Sequence, residues 1–147
     1  MAIIKTINNG NIWDTQKEII VITTNCEGVC GAGIAEQVRI RWPHVEAQYR
    51  KFAKAGFLAP GKLWLVQADP NQKLLMFPTK VEWRNPSKME YVKAGLEKLR
   101  DICDDKEIYE LAMPMLGCSN GKLDRREVEA LIRDVLQPTT LEIELYR

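Results

Sequence analysis

Apolar and polar positions change period several times along this chain, and each change marks an element. Ile3–Ile7 reads as a short strand closed by the turn residues Asn8-Asn9-Gly10. Glu18 to Thr24 is β-branched and almost wholly apolar, the pattern of a strand buried on both faces. A helix is expected from Gly33 or Ile34 to Trp42, stopped by Pro43. Val45, Tyr49, Phe52 and Ala53 share one face of a second helix. Leu63-Trp64-Leu65-Val66 and Leu74-Leu75-Met76-Phe77 are strands joined by a turn at Asp69-Pro70-Asn71. Ser87 with Glu90 has capping-box spacing ahead of the stripe Met89, Val92, Leu96 and Leu99. Ile108–Met113 is another strand. Asp124 caps a last helix, with Glu127 in the reciprocal position, a stripe of Val128, Leu131, Ile132, Val135 and Leu136, and Pro138 as its stop. Leu141 to Leu145 alternates apolar and acidic residues, as a half-exposed strand does. Strands alternating with helices give an α/β layered domain, with ligand sites expected in the loops that leave the strands.

Composition narrows the class. At 147 residues and 46% hydrophobic, the chain suits one domain with one core. Its 21 basic and 20 acidic residues leave a net charge of +1, which argues against a polybasic tail and against an acidic disordered chain. No apolar run reaches the roughly 18–20 residues that span a bilayer, and the first residues lack the order of a signal peptide. A soluble, cytoplasmic protein is expected. Cys26, Cys30, Cys103 and Cys118 have no framework spacing, and with His44 the only histidine, no metal site or other cofactor is expected.

Three loops carry candidate chemistry. Asn25 to Ala35 holds Gly28, Gly31 and Gly33 between a strand and a helix, where a glycine-rich turn and free helix N–H groups suit a phosphate. The spacing also suits a plain tight turn. In the second loop Lys80 leaves a buried strand, and a desolvated lysine can act as nucleophile or base, although solvated loop lysines are commoner. Trp83 and Arg84 can stack on a ring or simply pack at the rim. In the third loop, Pro114 to Asp124, two glycines and small polar residues could form a second phosphate cradle. Asp124 fits a helix cap better than a catalytic carboxylate. A Ser-His-Asp arrangement and a phosphate-binding G-x-x-x-x-G-K-[ST] motif are both missing from the sequence. Arg39, Arg41, Arg50, Lys51 and Lys54 form either a solvated helix face or a guide for a nucleic-acid strand.

Together the loops resemble those of macrodomains, the ADP-ribose-binding α/β/α family, over essentially the whole chain. Gly10-Asn11-Ile12 stands where the family has G-D-[IL], and Asn25 to Ala35 resembles its V-N-x-x-x-x-x-G-x-G-I-A segment. Phe77-Pro78-Thr79-Lys80 with Trp83-Arg84 resembles the N-F-P-T-K-x-x-W-R stretch of DarG-type macrodomains, and Pro114 to Leu123 their P-x-L-G-C-G-N-G-G-L loop. The resemblance implies a three-layer fold with a central mixed sheet.

It also implies an enzyme that hydrolyses the bond between ADP-ribose and thymidine in single-stranded DNA, an antitoxin partnered by a DarT-type toxin. Lys80 would be catalytic, as nucleophile or as acid. Asn25 would position the distal ribose. Gly31, Ala32, Gly33 and Ile34, with Gly117, Cys118, Ser119, Asn120 and Gly121, would wrap the pyrophosphate. Ile12 would cover the adenine and Asn11 accept from its exocyclic amine, while Thr79 and Trp83 belong to the lysine stretch. Three residues depart from the family: Asn11 for an aspartate, Gly121 for the catalytic aspartate of the glutamate-ADP-ribose hydrolases, and Arg125 for a tryptophan. The longer C-terminal part of full DarG proteins has no counterpart here, which leaves a free-standing antitoxin or a defence or counter-defence enzyme as expectations; a monomer is expected. The alternatives are a phosphatase on ADP-ribose-1″-phosphate and a non-catalytic ADP-ribose reader.

Overall fold

The computed structural model describes all 147 residues. Six strands form one sheet: β1 (Ile3–Ile7), β2 (Ile19–Asn25), β3 (Trp64–Asp69), β4 (Gln72–Lys80), β5 (Glu110–Pro114) and β6 (Glu142–Tyr146). Their order is β1-β6-β5-β2-β4-β3. All neighbours are parallel except β3, which returns beside β4 as an antiparallel hairpin. The Asp69 carboxylate accepts from the Asn71 amide across that turn at 2.8 Å. The sheet is therefore mixed, with four helices: α1 (Gly33–Arg41), α2 (Pro43–Lys54), α3 (Met89–Ile102) and α4 (Arg125–Leu136).

The period-two pattern of the strands sorts the core into two layers. Ile19, Val21, Leu75, Phe77, Leu111 and Met113 face α3 and α4, within a cluster of 20 buried residues. Ile20, Ile22, Leu74, Met76 and Ala112 face the other way, toward Val38 of α1 and Val45 of α2, in a cluster of 8. Most of the burial thus lies under α3 and α4. Strand β6 behaves as its alternation requires, with Ile143 and Leu145 buried and Glu142 exposed.

Because the strands are mutually parallel, β1, β2, β4, β5 and β6 all end at one edge. β2 and β5 pair only at Ile19–Leu111 and Ile20–Ala112, so they part toward that edge. The chain leaves β2 for α1 on one face of the sheet and leaves β5 for α4 on the other. Divergence of this kind is where open α/β sheets form a ligand crevice.

Two local expectations are corrected. Ser87 does not cap α3. Lys88 stands at the N-cap with no side-chain cap bond, and Ser87 is buried, its hydroxyl donating to Thr79 Oγ1 at 3.3 Å. A tertiary partner has displaced the local one. β4 also extends past Phe77 through Pro78 to Lys80. β3 pairs with β4 only as far as Met76, so beyond it one side of β4 is free, and a proline without an N–H is tolerated there.

Candidate functional site

A cleft of about 460 Å³ opens at the crevice. One wall is Asn11, Ile12 and Trp13, one the start of α1 at Gly33, Ile34 and Gln37, and one Pro114, Met115 and Ser119. The Asn11 carboxamide oxygen caps the short 3-10 turn Ile12–Asp14 by accepting from the Trp13 amide at 3.0 Å. The capping places Ile12 on the cleft. It also leaves the carboxamide N–H₂ free and one lone pair on the oxygen. Trp13, Gln37, Met115, Tyr146 and Arg147 line the cleft as well, and the sequence reading missed them. Met115 is the variable position of the third-loop motif, and the others sit in no motif and reach the cleft only through the fold. Arg125, the residue in place of the family tryptophan, is also on the wall.

Ala32 is the N-cap of α1 and offers no side-chain cap, so the first helical N–H groups remain open to an anion. Gly33 takes φ +62°, which a side chain rarely adopts, and a Cβ there would lie 3.1 Å from Asn120 Nδ2. The first and third loops therefore nearly meet over the crevice. Gly31 and Ala32 are exposed, and Gly31 faces away from this cleft into another one. Ser119 lines the cleft. Gly117 and Gly121 are buried beneath it, and Cys118 is half-buried with its thiol directed to the Leu116 carbonyl at 3.6 Å.

Lys80 sits where all three loops converge. The β2–β4 register slips by one residue: Thr24 pairs with Pro78, but Asn25 pairs with Lys80. Thr79 is the extra residue, buried and bonded to Ser87. This bulge sets Asn25 and Lys80 side by side. Lys80 Nζ donates to the Trp83 carbonyl at 3.3 Å and to the Asn120 carbonyl at 3.2 Å. Burial lowers its pKa from the ordinary lysine value, and the charge of Lys122 lowers it further. Two carbonyls occupy two N–H bonds, so one tetrahedral position remains for a substrate. In the amine that position is a lone pair.

The Asn25 carboxamide is largely engaged within its own loop. Its oxygen accepts from the Glu27 and Val29 amides at 3.0 and 3.2 Å, and its nitrogen donates to the Val29 carbonyl at 2.8 Å. One N–H remains to offer. Tyr49 locks the residue from below: its hydroxyl accepts from the Asn25 amide and donates to the Asn25 carbonyl at 2.6 Å. Burial pushes the Tyr49 hydroxyl pKa well up. Glu27, which the sequence reading passed over, accepts from the Trp83 amide at 2.7 Å and so clips the first loop to the second. Trp83 is exposed, with the Arg84 guanidinium 5.0 Å above its ring. Ser87 joins the second loop to the third, its amide donating to the Gly121 carbonyl at 3.0 Å.

Asp124 is a helix cap. Its carboxylate accepts from the Arg126 and Glu127 amides at 2.9 and 3.1 Å. The basic cluster of α1 and α2 divides: the Arg41 guanidinium stacks on Trp13 at 4.4 Å, while Arg39, Arg50 and Lys54 line the cleft outside the first loop.

The Macro domain family model matches residues 21–132. A Mycobacterium tuberculosis protein named DNA ADP-ribosyl glycohydrolase is 38% identical over 135 residues, which is 90% of this chain and 38% of that protein. The chain thus spans well under half the length of that relative. A Thermosipho africanus protein named a DNA ADP-ribosyl transferase–DNA ADP-ribosyl glycohydrolase fusion is 26% identical, over 93% of this chain and 40% of its own length. The solved macrodomain of Mycobacterium tuberculosis DarG superposes with a TM-score of 0.90 at 33% identity, covering 99% of this chain and 97% of that one. With the crevice, the divided strands and the lysine at the loop junction, these matches mean that the chain belongs to the macrodomain family, and within it to the DarG macrodomains.

Proposed function

We propose that this chain is a DNA ADP-ribosyl glycohydrolase that removes ADP-ribose from thymidine in single-stranded DNA, with Lys80 as the nucleophile. The observation that carries the reading is the fixed Lys80 Nζ, held by two carbonyls with one free position and a lowered pKa. The relatives' names supply the substrate class. The adenine lies against Ile12, within reach of Asn11. The pyrophosphate lies between the open N–H groups of α1 and the Ser119–Asn120 turn. The distal ribose meets the spare N–H of Asn25, with C1″ before Lys80.

The amine lone pair forms a bond to C1″ as the bond from C1″ to the base breaks. That electron pair leaves with the base, which takes one of the two Nζ protons, the other passing to the ring oxygen as it is released. Ring opening gives a Schiff base at Lys80, and water releases ADP-ribose and regenerates the amine. A monomeric macrodomain, working in the cytoplasm against a DarT-type transferase, completes the reading; the fused Thermosipho africanus relative supports that pairing.

The test uses single-stranded DNA carrying ADP-ribose on thymidine, with wild type beside Lys80→Ala. Release by wild type alone, and a borohydride-trapped adduct of protein and ADP-ribose that needs Lys80, are expected. Equal release by both proteins would overturn the role of Lys80. Phosphate release from ADP-ribose-1″-phosphate, with DNA left untouched, would replace the reading by a phosphatase.

A further inference from the structure

A second cleft, of about 420 Å³, lies on the outer side of the first loop. Its floor is Glu27 to Gly31, and its rim is Arg39, Arg50 and Lys54 from α1 and α2. It shares no lining residue with the adenosine-side cleft. Lys80 lines neither cleft, but its hydrogen bonds link the walls of both. Lys80 Nζ bonds the Asn120 carbonyl, and the Asn120 side chain abuts Gly33 in the first cleft. Lys80 Nζ also bonds the Trp83 carbonyl, and the Trp83 amide bonds Glu27 in the second.

We propose that the second cleft holds the single-stranded DNA next to the modified nucleotide, its phosphates against Arg39, Arg50 and Lys54. The inference rests on the glycohydrolase reading. It orders the molecule as the substrate is ordered: adenosine and pyrophosphate, scissile bond, then polynucleotide.

The charges support this occupant. Glu46 is buried and bonded to Arg50, which stays exposed and keeps further N–H donors outward. The Glu27 carboxylate is engaged by the Trp83 amide. Arg39 is fixed to the loop by its Nε bond to the Cys30 carbonyl at 3.3 Å and also pairs with Glu36, with nearly half of its side chain still exposed. Lys54 is exposed and takes part in no ion pair. Only two of the nine lining residues are hydrophobic, which suits a phosphate backbone better than an apolar peptide.

The test is the affinity of wild type, Lys54→Glu, Arg50→Gln and Lys54→Arg for a fluorescein-labelled unmodified single-stranded oligonucleotide across a salt series, read by anisotropy. Lys54→Glu is exposed and unpaired, so it folds even if Arg50→Gln, which strips the partner from buried Glu46, does not. The expected result is at least tenfold weaker binding for Lys54→Glu at low salt, retention by Lys54→Arg, and unchanged affinity of both for free ADP-ribose. In Arg50→Gln the salt slope flattens by about 0.7, the value for one lost phosphate contact on a single strand. Wild-type affinity in Lys54→Glu, or an equal loss of ADP-ribose binding, would overturn the proposal. The glycohydrolase reading fails separately, if wild type leaves ADP-ribosylated DNA intact while the unmodified strand still binds through Lys54.

Discussion

Lys80 makes the sharpest residue-scale prediction, because in the proposed mechanism its charge state sets the rate. Burial and Lys122 both disfavour the ammonium, so the amine appears at lower pH than for an ordinary lysine of pKa 10.5. A nucleophilic amine makes kcat rise with pH, the midpoint of the rise lying below that value. Lys122→Gln removes the like charge, raises the Lys80 pKa and moves the rising limb toward alkaline pH. A pH–rate profile of the two proteins checks this, and a rate that falls over the same range would assign the ammonium as an acid. Gly121 makes a second prediction. A Cβ there overlaps Ser87 Oγ and the Gly117 carbonyl. Gly121→Asp should lose about 1–3 kcal/mol of stability, as overpacked cores do, and gain no hydrolysis of glutamate-linked ADP-ribose. Thermal melts and that assay decide it. At this scale the sequence singles out Lys80 and Asn11 as candidates, but not what their atoms are bonded to. Ser87 was misread because S-x-x-E spacing reports only local partners, and its real ones, Thr79 and Gly121, are distant in sequence.

Elements carry the site by where they end. Asp124 starts α4 directly after the third loop, and both of its bonds go to backbone amides. Asp124→Ala should therefore cost about 1 kcal/mol, the usual loss of an N-cap, with kcat unchanged. Denaturant melts beside turnover measurements separate this from a catalytic carboxylate, whose loss would cut kcat and leave stability alone. The helices and strands were legible because their stripes are local and strongly periodic, as in Val128, Ile132 and Val135 of α4. The short turn Ile12–Asp14 was not: its Asn11 cap is local, but the packing of Trp13 against Trp42 is set by the fold. The β-bulge at Thr79 was equally hidden, since register is a relation between two strands.

The whole molecule joins a mixed sheet, whose five parallel strands end together, to two clefts linked through the hydrogen bonds of one lysine. β2 and β5 part beyond Ile20, so the pairing of the sheet itself shapes the crevice, and binding is expected to rearrange the core little. Ligand bound to the native state alone then adds directly to stability. At ADP-ribose a hundredfold above Kd the gain is about 2.7 kcal/mol. For a domain of about 150 residues this raises Tm by roughly 5–10 °C. Lys80→Ala should show the same rise, because Lys80 does not itself line that cleft. Melting scans of both proteins with and without ADP-ribose measure it. A full rise in both, with turnover in wild type only, separates binding from chemistry. A full rise with no turnover of ADP-ribosylated DNA or ADP-ribose-1″-phosphate in either would make the chain a reader of ADP-ribose, its lysine a structural residue that ties Trp83 to Asn120.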